Sequence, residues 1–175
     1  MKIDLGEFIN ESGKFIVSDP CYEDGAWCQG KISNIKTGTW DAYIIKSDEG
    51  IFGQRNAELI AKHSSLDDDR GLDWELCDFI VGVDSGQAGI FDANHYNNDS
   101  VFGKGEKPIH DYGETKFYGF CCDLTLSETQ GGVLKYGAVA TSGFGDGSYD
   151  CFISKDRNGK VVAVKIIFIQ ADYFE

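Results

Sequence analysis

The sequence predicts a single all-β or β-dominated domain over residues 1–175, built as a two-sheet β-sandwich. Many segments are rich in β-branched and aromatic residues and alternate between apolar and polar positions, as strands do. The 22 glycines, against two prolines, are typical of tight turns between strands. No linker-like stretch or change in composition divides the chain, which favours one domain.

The first predicted strands are residues 14–18 and 38–46. The first is ended by Asp19-Pro20, because proline holds the preceding residue extended and lacks a backbone N–H. In the second, Trp40, Ala42 and Ile44 fall on one face of the strand.

Residues 56–63 fit a strand by alternation and a helix by propensity, and the neighbouring strands favour the strand. Residues 67–75 begin with three aspartates and are predicted to form a loop or a short helix. Residues 79–83 and 89–91 flank a glycine-containing loop and are predicted to pair as a hairpin.

The second half of the chain is predicted to contribute strands at residues 117–126 and 133–141. A final hairpin joins residues 149–154 to 161–169 across an Asn-Gly turn. Residues 161–169 form a nearly continuous apolar run, which predicts a central strand covered on both faces.

Two loops rich in glycine and aspartate, within residues 78–92 and 137–150, are the most informative feature of the chain. Each follows an apolar run with strand propensity. Such turns favour glycine, which adopts positive φ without steric strain. We therefore predict a positive φ at one or more of Gly86, Gly145 and Gly147.

The net charge is −13, which argues against nucleic-acid binding because that affinity depends on attraction to phosphate. No run approaches the roughly 20 apolar residues of a membrane helix, and the first residues do not resemble a secretion signal. We therefore expect a soluble, cytoplasmic protein with no nucleic-acid or membrane partner. The sequence leaves its oligomeric state open.

The six cysteines are expected to be mainly reduced in the cytosol. Cys21 and Cys28 form the pair best placed to close a short disulfide loop. No C-x2-C pair is present, so the spacing does not favour zinc. Asp84, Asp92 and Asp99 carry oxygens of the kind that calcium prefers, but the EF-hand pattern is absent. We expect no cofactor, with a divalent cation such as calcium as the alternative.

Five segments of the chain together resemble an uncharacterised bacterial and phage protein family. They are residues 15–22, 27–28, 37–40, 83–92 and 142–149, and the two glycine loops are the most specific of them. The resemblance implies a small cytosolic accessory protein, acting in conflict between phage and host or between toxin and antitoxin. It implies no reaction and no catalytic residue.

The leading hypothesis is a non-enzymatic domain that recognises a protein or small ligand through its loops. The expected ligand-binding residues are Asp84, Ser85, Gln87, Asp92, Tyr96, Phe144, Asp146, Ser148 and Tyr149. One alternative is a hydrolase, metal-dependent or not, that gathers Asp84 and Asp146 with His95 or Cys21. A second alternative is an acidic decoy or inhibitor protein.

Overall fold

A computed structural model of the chain describes residues 1–171. Within this part the chain forms strands, in order, at β1 (Lys2–Asn10), β2 (Phe15–Ser18), β3 (Gly30–Ile32), β4 (Gly38–Asp48), β5 (Gln54–His63), β6 (Glu75–Val83), β7 (Gln87–Asp92), β8 (Gly131–Leu134), β9 (Gly137–Thr141), β10 (Gly147–Lys155) and β11 (Val161–Ile167). One α-helix, α1 (Lys116–Thr125), lies between β7 and β8, and single 3₁₀ turns occur at Gly50–Phe52 and Asp99–Val101.

The strands form two antiparallel sheets that pack face to face, so the predicted β-sandwich is confirmed. A six-stranded sheet has the spatial order β1-β4-β5-β11-β10-β6, and a five-stranded sheet has the order β3-β2-β7-β9-β8. The main core lies between them, where Phe15 of the smaller sheet meets Trp40 of the larger one edge to face at 5.0 Å. Both side chains are fully buried.

Several of the predicted strands are confirmed. Residues 14–18, 38–46 and 56–63 lie in or overlap β2, β4 and β5, and β10 pairs with β11 as the predicted final hairpin. β11 lies between β5 and β10 and is therefore a central strand. Residues 64–74 form a loop, which contains the predicted loop of residues 67–75 except for Glu75, the first residue of β6.

The predicted strand at residues 117–126 is wrong, because this segment is the helix α1. Thr115 caps the helix by accepting a hydrogen bond from the Tyr118 backbone N–H, and Asp99 accepts from the backbone N–H groups of Lys116 and Phe117. Phe117 and Cys121, four residues apart, both point at the five-stranded sheet. The helix thus forms a third layer on that sheet, over Phe91 and Val139. Within residues 1–171, no helix is long and apolar enough to cross a membrane.

The predicted hairpin of residues 79–83 with 89–91 is also wrong. β6 pairs with β10 in the larger sheet, whereas β7 pairs with β2 and β9 in the smaller one. Residues 84–86 therefore carry the chain from one sheet to the other. Val83 and Ala88 both point into the shared core, so each side of this crossing is anchored by apolar burial.

Residues 133–141 do not form one strand but the hairpin of β8 and β9, which turns at Lys135 and Tyr136. The carbonyl groups of these turn residues accept hydrogen bonds from the backbone N–H groups of Ile9 and Asp92, which fix the turn. Sequence patterns missed β1 and β3. In β1 the register shifts between Asp4 and Gly6, and this bulge interrupts the alternation that marks a strand.

Candidate functional site

A cavity of about 320 Å³ opens where the turn after β2, the loop between β6 and β7, and α1 meet. The turn contributes Cys21 to its wall, the loop contributes Ser85, and the first residue of β7 contributes Gln87. The helix contributes Tyr118, Cys122 and Thr125. Their side chains give the wall two hydroxyl groups, an amide, a phenol and two thiols.

Three exposed residues form the rim of this cavity. Leu126 follows the end of the helix, while Tyr112 and Glu114 belong to the segment that precedes it. That segment crosses α1 at Gly119, where an added Cβ would lie 2.6 Å from both the His110 carbonyl oxygen and the Pro108 ring. Asp123 of the helix holds the crossing in place by accepting hydrogen bonds from the backbone N–H groups of Ile109 and His110 and from the His110 ring.

Asp19 joins the turn to the loop and sets the geometry of the cavity wall. Its Oδ1 accepts hydrogen bonds from the Cys21 backbone N–H (2.9 Å) and the Ser85 hydroxyl (2.6 Å). Its Oδ2 accepts from the backbone N–H groups of Asp84 (2.9 Å) and Ser85 (2.6 Å). The residue is fully buried, and these four hydrogen bonds offset the cost of burying its charge.

The two glycine loops lie side by side next to this cavity. The Gly86 backbone N–H donates to Oδ1 of Asp146 (3.0 Å), and the Ser142 backbone N–H donates to the Gly86 carbonyl (3.0 Å). Gly86 and Gly145 have φ of 70° and 115°, which confirms the prediction of positive φ in these loops. Gly86 is held by neighbours on both its N–H and its C=O, so its conformation is fixed.

We expect Gly86→Ala to destabilise the protein by about 1–2 kcal/mol, because a Cβ in the left-handed region clashes with its own backbone. Nothing lies within 4 Å of the added Cβ, so backbone strain is the main cost. Gly105→Ala is the matched control, because Gly105 lies outside the positive-φ region and nothing lies within 4 Å of its added Cβ either. Urea unfolding of both variants measures the difference, and equal midpoints would contradict it.

Gln87 is a polar side chain of the wall that is buried but only weakly hydrogen-bonded. It is 2% exposed, and its Nε2 donates only at 3.4 Å to Ser85 Oγ and at 3.4 Å to Cys122 Sγ. Its Oε1 accepts from the Thr125 hydroxyl at 3.2 Å, a hydroxyl that also lies 3.1 Å from the Cys121 carbonyl oxygen. A buried amide with one long hydrogen bond to oxygen and one to sulfur, a weak acceptor, recovers only part of its desolvation cost.

The tyrosine opposite, Tyr118, is an uncharged phenol at physiological pH. Burial raises its pKa to about 12, and contacts with Ser85 and Cys122 have smaller, opposing effects.

The structure places Ser85 and Gln87 in the cavity wall, with Asp84 and Asp146 on the adjoining loops. It places Asp92 at the far end of β7, where its carboxylate accepts from the backbone N–H groups of Glu11 and Ser12. Asp92 lies five residues along β7 from the cavity residue Gln87, about 17 Å of strand. Asp92 therefore supports a distant turn.

Tyr96 and Tyr149 stabilise turns through hydrogen bonds from their hydroxyl groups to backbone carbonyls. The Tyr96 hydroxyl donates to the Tyr22 carbonyl at 2.6 Å, and burial raises the pKa of this group. The Tyr149 hydroxyl lies 2.6 Å from the Gly145 carbonyl oxygen, and burial raises its pKa too. Phe144 is exposed on the second loop, where its ring meets Phe52 edge to face at 5.8 Å, and Ser148 is exposed near the start of β10.

The residues proposed for a hydrolase are divided between two places. Cys21 lies at the cavity, but His95 stacks on Tyr136 at 3.6 Å and its Nε2 lies 2.9 Å from Glu11, beyond the far end of β7. Among the described residues, no group of three or more His, Cys, Asp or Glu side chains could hold a metal ion.

Cys21 is poorly suited to act as a nucleophile. Desolvation raises the pKa of its thiol to about 12, and the negative charge of Asp19 and a hydrogen bond to it act in the same direction. The reactive form of cysteine is the thiolate, whose fraction at pH 8 is then very small.

We therefore expect iodoacetamide to alkylate Cys21 on the order of a hundredfold more slowly at pH 8 than it alkylates an ordinary exposed thiol. This figure allows for the greater nucleophilicity of a thiolate whose pKa is high. The rate should rise about tenfold per pH unit between pH 8 and 10, where an ordinary thiol levels off. A thiol introduced at the exposed position Ser33→Cys provides the control. Peptide mass spectrometry gives both rates, and equal rates at pH 8 would contradict the shift.

The fold and the cavity define a two-layer β-sandwich with a covering helix and a small polar pocket beside its loops. The chain belongs to the family described as Protein of unknown function (DUF4241), whose profile matches residues 9–166. No curated protein and no solved structure shows significant similarity to it.

Proposed function

We propose that this protein is a non-enzymatic binding domain that holds a small polar molecule in the cavity beside Ser85 and Gln87. The observation that carries the proposal is the buried Gln87 amide in the cavity wall, whose nitrogen donates only at 3.4 Å to Ser85 Oγ and to the sulfur of Cys122, a weak acceptor. A ligand that donated a hydrogen bond to the amide oxygen would recover part of the desolvation cost of this amide, because the single Thr125 proton cannot serve both that oxygen and the Cys121 carbonyl. Small-molecule sites commonly combine an apolar wall with a few convergent polar groups of this kind.

The surroundings of the cavity support binding because they are already organised. Asp19 fixes the loop that carries Ser85, and Asp146 fixes Gly86 within the same loop. On the other side, the Thr141 hydroxyl lies 3.1 Å from the Thr125 carbonyl oxygen and links β9 to the end of the helix. A wall held in this way loses little conformational entropy when a ligand enters.

The wall is less well suited to catalysis. The Ser85 hydroxyl donates to a carboxylate that already accepts three backbone N–H groups, and the Cys21 thiol has a raised pKa. The cavity residues among positions 1–171 include no histidine to act as a general base. These features favour recognition over hydrolysis.

A cytosolic location is part of the proposal. All six cysteines are free in the structure, and five of them are wholly or partly buried. Buried free thiols in these numbers are typical of proteins that fold in a reducing compartment.

The test is to titrate four small probes into ¹⁵N-labelled protein while following the side-chain amide signals of Gln87. The probes are n-butylamine, 1-butanol, acetamide and butyrate, added up to about 50 mM to cover the millimolar affinities of such small molecules. We expect at least one probe to shift the Gln87 signals saturably. If none does, the proposed site is wrong.

Two variants separate binding in the cavity from binding elsewhere. Cys21→Trp places a large ring at the cavity mouth and should abolish the shifts, because Cys21 is an exposed lining residue. Cys21→Ser keeps the original size and should leave them unchanged. Shifts that persist in Cys21→Trp would place the binding outside the cavity.

A further inference from the structure

We infer that the ligand of this cavity is an organic cation that presents a primary ammonium or guanidinium group to Ser85, Gln87 and Thr125. The inference rests on the proposed function, because it concerns the occupant of the same cavity. Three properties of the wall lead to it: the direction of its hydrogen bonds, its charge and its aromatic rings.

The hydroxyl groups in the wall offer lone pairs rather than protons. Ser85 donates its proton to Asp19 at 2.6 Å, and Thr125 directs its proton at either the Gln87 amide oxygen or the Cys121 carbonyl. Toward the cavity each oxygen therefore acts as an acceptor. A ligand rich in N–H donors, such as an ammonium or a guanidinium group, complements this arrangement.

The charge around the cavity is negative. Glu114 is on its rim, the buried Asp19 carboxylate lies directly behind Ser85, and Asp84 and Asp146 are on the adjoining loops. The lining residues within the described chain include no lysine and no arginine. An anionic ligand would be repelled, whereas a cation would be attracted over several ångströms.

Two tyrosines of the lining supply aromatic faces for a cation. The rings of Tyr112 and Tyr118 lie 6.4 Å apart between centroids and are inclined at 58° to each other. Cations bind favourably over such faces, most strongly where water is excluded. The volume of about 320 Å³ is at the lower end for small-molecule sites and fits a ligand the size of an amino acid or a short amine.

The experiment compares three probes of similar length that differ in charge: n-butylammonium, 1-butanol and butyrate. Dissociation constants come from the Gln87 amide signals at pH 7 and low salt. We expect n-butylammonium to bind about tenfold more tightly than 1-butanol, with butyrate weakest of the three. Equal affinity for n-butylammonium and 1-butanol would overturn the inference while leaving the proposed function standing, whereas no binding by any probe would overturn both.

A matched pair of variants tests the source of the preference. Glu114→Gln removes the rim charge and should weaken n-butylammonium binding severalfold without changing 1-butanol binding. Glu7→Gln removes one equal charge from an exposed position on β1 and should change neither. If both variants weaken n-butylammonium equally, the preference comes from the net charge of the protein and the site-specific inference fails.

A free amine and a side chain of a partner protein could both supply the cationic group. Nα-acetyl-lysine-methylamide, which carries the ammonium group on a peptide-like backbone, distinguishes the two. Binding as tight as that of n-butylammonium supports a lysine side chain as the natural occupant. Binding that is lost with this probe supports a free small amine. Both outcomes support a cationic ligand.

Discussion

Replacing Ile166 with alanine is expected to lower the free energy of unfolding by about 2–5 kcal/mol, from lost apolar burial and the cavity left behind. Ile166 is fully buried in the core between the sheets, on the central strand β11. Its neighbours in register, Leu59 and Cys151, are also fully buried, so little can move to fill the space.

Ile167→Ala is the matched control for this prediction. Ile167 has the same side chain on the same strand but is only half-buried, beside Glu58 and Asp150. Urea denaturation of both variants gives the comparison, and Ile166→Ala should shift the midpoint clearly further. Equal shifts would mean that the core does not depend on the inner face of β11.

The sandwich could be predicted because most of its strands keep an unbroken alternation or a continuous apolar run. Residues 38–46 place Trp40, Ala42 and Ile44 on one face, and all three are buried in the core. The helix was missed because its aromatic residues, Phe117, Tyr118 and Phe120, favour strands in isolation. The spacing of Phe117 and Cys121, with Thr115 as a cap, was the signal that could have revealed it.

The cavity could be predicted only in part, because half of its wall comes from the helix that the sequence patterns missed. Ser85 lies in a loop whose glycine and aspartate residues are conspicuous in the sequence, and Gln87 is the first residue of the strand that follows it. Tyr118, Cys122 and Thr125 lie on one face of the helix, at spacings of four and three residues. If the same segment were a strand, Thr125 would lie on the face opposite to Tyr118 and Cys122. Tyr112 and Glu114 reach the rim through a long irregular segment, which carries no periodic signal.

Asp19 illustrates the difference between local and long-range information. Its position before Pro20 predicts a turn in which the carboxylate bonds a nearby N–H, and the Cys21 N–H does donate to it. Its hydrogen bonds to Asp84 and Ser85 join residues 65 and 66 positions away along the chain. Such contacts depend on the packing of the two sheets and leave no local pattern.

Asp19→Asn is therefore expected to destabilise the protein by about 2–4 kcal/mol, although it keeps the shape of the side chain. The amide NH₂ replaces one carboxylate oxygen and faces N–H donors that need an acceptor, while the remaining hydrogen bonds lose the strength that the charge gives them. Asp84→Asn is the control, because Asp84 is exposed and its backbone N–H, not its carboxylate, makes the contact with Asp19.

Chemical denaturation measures the stability of both variants, and the Gln87 amide signals report the geometry of the cavity at the same time. We expect Asp19→Asn to shift these signals and to weaken the binding of n-butylammonium, because Ser85 is no longer held by a charged acceptor. Asp84→Asn should leave the stability within about 0.5 kcal/mol of the original. An Asp19→Asn protein with unchanged stability and unchanged Gln87 signals would show that the turn and the loop are held together without this carboxylate.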